Sequence, residues 1–138
     1  MSVLLQDFSG VIDAVAGRVC ERLLGVYVRY DDGRLNPGVF WMKVVDGPWH
    51  RFFIDLSIGY LRWNAEPEPY KSDLDDPDDY PVIDLGLRHN LHGLSIRSAV
   101  MEQLGAGPQS QGCLTICFAG SRVFRLIAGG DLTALSIT

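Results

Sequence analysis

The chain opens its central stretch as WHRFFIDLSIGYLRW (residues 49–63), the longest apolar run in the sequence, and passes directly into NAEPEPYKSDLDDPDDYPVIDL (64–85), the most acidic. In the first half, Phe52, Ile54, Leu56, Ile58 and Tyr60 share one parity, and Phe53, Asp55, Ser57, Gly59, Leu61 and Trp63 share the other. Alternate residues of a strand point to opposite faces, so the wholly apolar set is expected to pack inward. A period of 3.6 would wrap apolar groups around every side, and Phe, Ile, Tyr and Trp favour a pleated surface. The pattern predicts one long strand over 51–63 with a bend near Gly59. Asp55 is the one charge in its middle, either a solvent-facing strand position or a carboxylate on a binding face beside Ser57 and Trp63.

The second half gathers the negative charge. Glu66, Glu68, Asp73, Asp75, Asp76, Asp78, Asp79 and Asp84 are opposed only by Lys71, a local balance of −7, whereas the whole chain with 17 acidic and 12 basic residues carries −5. The remainder is therefore slightly basic, and the acidity belongs to one segment. Pro67, Pro69, Pro77 and Pro81 are expected to keep it from forming a helix or a central strand. They also stiffen it, so that less freedom is lost when a partner binds. Tyr70 and Tyr80 are aromatic anchors of the kind enriched at interfaces. The plain alternative is a solvated loop that serves only solubility. Asp73 to Asp84 has the length of a calcium loop, but Pro77 stands at its fifth position and Asp78 at the sixth, where glycine is required, so no EF-hand is expected.

The 138 residues suit one domain, 1–138, with residues 64–84 inserted between sheet strands. Hydrophobic residues make up 47% of the chain, enough for a proper core. The acidic balance argues against nucleic acid as a partner. No run approaches a membrane span of ~20 apolar residues. MSVLLQDFSG lacks the basic start of a signal peptide. Cys20, Cys113 and Cys117 are odd in number, and on a strand the last two would lie about 13 Å apart, too far for a disulfide. They read as packed thiols of a reducing compartment, which suggests the cytoplasm.

The fold class expected is α+β, mainly antiparallel β: a meander with an N-terminal helix and the option of a second helix. Residues 9–24 carry a stripe of Val11, Val15 and Val19 joined by Ile12, Ala16 and Leu23, with Ser9 to cap and Gly25 to stop a helix; the alternative reading is a strand that enters the first hairpin. Residues 26–30 alternate up to an Asp32-Gly33 turn. In 39–45, Val39, Trp41, Lys43 and Val45 face one way and Phe40, Met42 and Val44 the other. Residues 94–104 fit a helix or a strand equally. Residues 113–127 form a hairpin about Ala119-Gly120-Ser121, with a last strand after it.

Enzyme templates fail: there is no Gly-x-Ser-x-Gly, His-Glu-x-x-His, dinucleotide or Cys-x-x-Cys signature. His89 and His92 have a spacing that suits one face of a helical turn, but a metal needs a third ligand. No cofactor and no metal are expected. The combination of WHRFFIDLSIGYLRW, the acidic segment Glu66–Asp84 and hairpin-rich ends resembles the immunity proteins of bacterial polymorphic-toxin systems. That resemblance implies a protein that binds one cognate toxin and occludes its basic active site or groove. The partner-binding residues would be Asp73, Asp75, Asp76, Asp78 and Asp79, with Glu66, Glu68 and Asp55, and with Tyr70, Tyr80 and Trp63 as anchors. A different reading is a small enzyme or ligand-binding domain with a polar pocket near Asp55, His89 and His92. A third is a subunit of a larger assembly, joined through strand edges.

Overall fold

The computed structural model describes residues 6–7, 10–55, 60–104, 111–129 and 132–138. The chain is mostly antiparallel β, in two sheets. The first holds six strands: β1 (Gln6–Asp7), β3 (Cys20–Arg29), β4 (Leu35–Val44), β5 (Trp49–Asp55), β6 (Tyr60–Glu66) and β7 (Val82–Asp84), in the order β1-β6-β5-β4-β3-β7. The second holds five: β2 (Gly10–Val11), β8 (Ile96–Leu104), β9 (Gln111–Phe118), β10 (Arg122–Gly129) and β11 (Leu132–Ile137), in the order β11-β10-β9-β8-β2. Two single-turn helices, α1 (Lys71–Leu74) and α2 (Leu85–Arg88), flank β7.

Alternation dictates what lies between the sheets. Phe40, Met42 and Val44 of β4 and Phe52 of β5 are fully buried and meet Met101 of β8, Leu114, Ile116 and Phe118 of β9, and Phe124 and Leu126 of β10. Phe40 meets Phe124 edge-on, with ring centroids 5.2 Å apart and planes at 84°. Each such side chain contributes about 1.5–3 kcal/mol on leaving water, and edge-to-face aromatic pairs add to it. Gly112 on β9 opens room for Leu61 of β6: a Cβ there would stand 3.0 Å from the Leu61 side chain.

The expected N-terminal helix does not form. Residues 10–20 run beside β8 instead, through Ile12 N to Ala99 O, Gly17 N to Ile96 O, Ile96 N to Arg18 O and Cys20 N to Leu94 O. Gly10 and Gly17 take φ of 130° and 79°, values a helix forbids. The valine stripe is split, since Val15 is buried while Val11 is 54% exposed. β-branched residues with a partner strand at hand lose little by leaving the helix. This segment carries the chain from the second sheet into the first, and Ile12 and Val15 fill the core on the way. The ambiguous 94–104 resolves as β8, so the second helix is not there either.

The run 51–63 contributes to two strands rather than one, and the bend expected near Gly59 lies outside the described residues. β5 and β6 pair antiparallel from Trp49↔Glu66 to Asp55↔Tyr60. The fold-back swaps parity: Phe52 lies opposite Trp63, and both face the inner core. Pro37 falls within β4, where a register shift between Val26 and Tyr27 admits it, beyond the part of β4 that pairs with β5. The Asp32-Gly33 turn and the 113–127 hairpin form as the spacing predicts, with Gly33 at φ 87° and Gly120 at φ 78°.

His50 is the buried polar residue of the inner face. Its ring stacks on Trp63 at 5.8 Å and 11°, and its Nδ1 accepts the Trp63 indole N–H at 3.1 Å. The imidazole proton therefore sits on Nε2, which is buried with no partner among the described residues. Burial, and then the positive charges of Arg18 and Lys43, push its pKa down to about 4. Above pH 6.5 the ring is neutral in both folded and unfolded chains. Between 6.5 and about 4 only the unfolded chain takes up the proton, so stability falls as pH drops through that window, by roughly 3 kcal/mol at its lower end. Urea midpoints measured from pH 7 to 4 should show this decline, and His50→Gln should flatten it.

Candidate functional site

The second face of the six-stranded sheet is apolar too. Val39 and Trp41 of β4, Trp49, Arg51 and Phe53 of β5, and Leu24 and Val26 of β3 stand on it, and Trp41 is fully buried. A sheet face of this kind needs a cover. Residues 67–81, which lead from β6 at one side of the sheet to β7 at its far edge, supply it as a strap, and Leu74 of α1 packs onto Leu24, Val26 and Trp41. The prolines do not exclude helix altogether, as the sequence suggested: one turn fits between Pro69 and Pro77.

Asp73 is the clasp of the strap. Its Oδ2 accepts the Trp41 indole N–H at 2.9 Å and the Arg51 Nε–H at 2.9 Å, and Oδ1 accepts from Arg51 Nη2 at 3.5 Å. Both charged side chains are nearly covered, 14% exposed for Arg51 and 13% for Asp73. The guanidinium also lies 4.1 Å from the Phe53 ring centre and 4.9 Å from that of Tyr70, while Tyr70 meets Trp41 edge-on at 5.2 Å. Arginine suits this place because its flat ion can pair with a carboxylate and stack on aromatic rings at once.

The two ends of the strap are tied separately. At the start, the Tyr70 hydroxyl donates to Glu66 Oε1 at 2.7 Å, and Asn64 Nδ2 donates to both, at 3.0 Å to Glu66 and 3.2 Å to Tyr70. The Glu66 hydrogen bond holds the Tyr70 phenol above its usual pKa. At the other end, Arg29 Nε–H donates to Asp78 O, Arg29 N to Asp79 O and Tyr27 N to Pro81 O, each near 3.0 Å.

The residues singled out from sequence thus divide. Asp75, Asp76, Asp78 and Asp79 are exposed, and among the described residues none of their carboxylates is paired with a basic side chain, although Arg29 binds the backbone carbonyl of Asp78. Glu68 is exposed beside them, and Tyr80 is 44% exposed. Asp73 turns inward to Arg51, Glu66 is held by Tyr70 and Asn64, and Tyr70 is shared between cover and surface. Trp63 faces the inner core, so it stands on the opposite side of the sheet from the strap. Between strap and sheet runs a groove of about 260 Å³ lined by Val26, Tyr27, Val39, Ser72, Asp73 and Tyr80.

Asp55, His89 and His92 are not brought together by the strand order. Asp55 ends β5, whereas the histidines follow α2, which lies against β3 with β4 between. His92 Nε2 is 3.3 Å from Asp84 Oδ1, and the same carboxylate caps α2 through Leu87 N and pairs with Arg22 at 3.6 Å. The His89 carbonyl accepts from Arg122 at 2.7 Å. Cys20 lies near the Asp84 charge, but burial, with that charge adding to it, pushes the thiol up to about 12. A thiol held protonated is a poor nucleophile. Among the described residues, no three His, Cys, Asp or Glu side chains stand where one metal ion could bind them all, and no helix is long and apolar enough to cross a membrane.

Arg51 and Trp41 are the residues that sequence reasoning missed. Their signal was present: alternation put Trp41 opposite the core-facing Phe40 and Met42, and an outward tryptophan flanked by valine implies a cover. Asp73→Asn should cost about 3 kcal/mol, because it leaves the Arg51 charge covered and unmatched. Asp75→Asn should change stability by less than about 0.5 kcal/mol. Denaturation curves would measure both, and tryptophan emission should shift to the red in the first alone. Compared with protein-family models, with curated proteins and with solved structures, the chain matches none, so its function has to be read from its own geometry.

Proposed function

We propose that the chain is a protein-binding inhibitor that sets the acidic strap on a basic cleft of a partner protein, in the manner of the bacterial toxin-immunity proteins it resembles. The observation that carries this reading is the split within the strap. One carboxylate, Asp73, is spent on holding the segment against the sheet, while the carboxylates of Asp75, Asp76, Asp78 and Asp79 are left exposed with no ion pair among the described residues. A segment fixed at both ends and clasped in the middle loses little freedom on binding. Its unmatched charges would speed encounter with a positive surface.

Tyr80 and the groove beside it would supply what charge alone does not. Tyr80 is partly exposed on the groove wall, next to Ser72, Val26 and Val39. An arginine or lysine side chain fits such a place, its stem along the valines and its head among the carboxylates. This is a docking function, in which affinity comes from a few anchors and rate from the field.

The test begins with recovery of the partner by co-purification with the wild-type chain from its host. Its association rate is then measured against salt. In the fourfold variant Asp75→Asn, Asp76→Asn, Asp78→Asn, Asp79→Asn, the rate at low salt should drop by about tenfold or more and its dependence on salt should flatten. The thermal midpoint should stay within a few degrees of the parent. An unchanged rate and slope would remove the strap as the docking element.

A further inference from the structure

Among the described residues the sheet edges are unequal. The six-stranded sheet ends in β1, two residues long, and β7, three residues long and closely preceded by Pro81. The five-stranded sheet ends in the two-residue β2 and in β11, six residues long. Edge strands that are meant to stay single are usually short, charged or broken by proline. β11 and the residue after it read LTALSIT, with neither a charge nor a proline.

The ladder shows which of its peptide groups are unused. Thr138 and Val123 exchange both hydrogen bonds, N to O at 3.0 and 3.4 Å, so Thr138 points its backbone toward β10. By alternation Ser136, Ala134 and Leu132 do the same, in register with Arg125, Ile127 and Gly129. The N–H and C=O groups of Thr133, Leu135 and Ile137 therefore point away from the sheet, and among the described residues nothing accepts or donates to them. These three residues are spaced symmetrically about Leu135. A second β11, turned by a two-fold axis through Leu135, places Thr133 opposite Ile137, Leu135 opposite Leu135, and Ile137 opposite Thr133. Each of these pairs is then a hydrogen-bonded pair of an antiparallel ladder. The Leu135 and Ile137 side chains already turn toward the core, and Ala134 and Ser136 are exposed on the other face, so nothing bulky or charged on β11 blocks the approach.

We infer that β11 is a homodimer edge: two copies of this chain join through antiparallel β11–β11 pairing centred on Leu135, making one continuous sheet from the two five-stranded ones. The contact is isologous and closes on itself, so it gives a dimer rather than a filament. It uses a different element from the acidic strap and does not depend on it.

The register makes the test specific, because Ser136 of one copy would face Ala134 of the other as a non-hydrogen-bonded pair with its side chains close together. Sedimentation of the wild-type chain at high micromolar concentration should give twice the 15.3 kDa chain mass. In Ala134→Lys/Ser136→Lys, two like-charge oppositions should weaken the dimer by roughly tenfold or more. In Ala134→Glu/Ser136→Lys, each lysine meets a glutamate and affinity should return to near the wild-type value. Both changes lie on exposed positions, and near-UV circular dichroism should be that of the parent in both variants. A monomeric wild type, a double-lysine variant that dimerises as tightly as the parent, or a charge-swapped variant as weak as the double lysine would each overturn the inference.

Discussion

Asp73 holds two donors that have no other hydrogen-bond acceptor among the described residues. The Trp41 indole N–H and the Arg51 guanidinium lie on an outward sheet face too apolar to be left bare, and the carboxylate of a distant segment satisfies both. A covered ion pair contributes little net stability once its dehydration is counted. Its effect here is on position. It fixes where the strap lies, and the strap then takes Trp41, the stem of Arg51 and one side of Tyr70 out of water. The apolar cover supplies the free energy, and the clasp supplies the register.

The placing of charge follows from this arrangement. A segment with a balance of −7 would not settle on an apolar face by hydrophobicity alone. It does so because α1 turns Leu74 and Asp73 inward and leaves the remaining aspartates outward. The basic residues that receive it, Arg51 and Arg29, come from strands β5 and β3, and most of the contact at Arg29 is to backbone carbonyls. Side-chain charge is therefore left over on the outside. The local negative field is a by-product of how the strap is attached as much as of its composition.

Much of the sheet could be read directly from the order of residues. The two faces of β4, the Asp32-Gly33 turn and the β9–β10 hairpin follow from alternation and from glycine placed where φ is positive. The stretch 10–20 did not, because a valine every fourth residue fits a helix as well as a chain laid along β8, and only β8 decides between them. Trp63 is expected on the wrong face because alternation along one long strand separates it from Phe52, whereas the antiparallel pairing of β5 with β6 sets the two opposite each other. Within the strap, five aspartates look alike in sequence. What separates Asp73 from Asp75 is its distance from Arg51, which lies twenty-two residues earlier and belongs to another element.

The strap leaves β6 and rejoins the sheet only at β7, across β5, β4 and β3. Strands β3 to β6 are neighbours in sequence and are joined by short closures, while β7 is joined to β3 by a long one. Trp41 and Trp49 stand on the face that the strap covers, so their burial depends on a closure that spans more of the chain than any turn between β3 and β6.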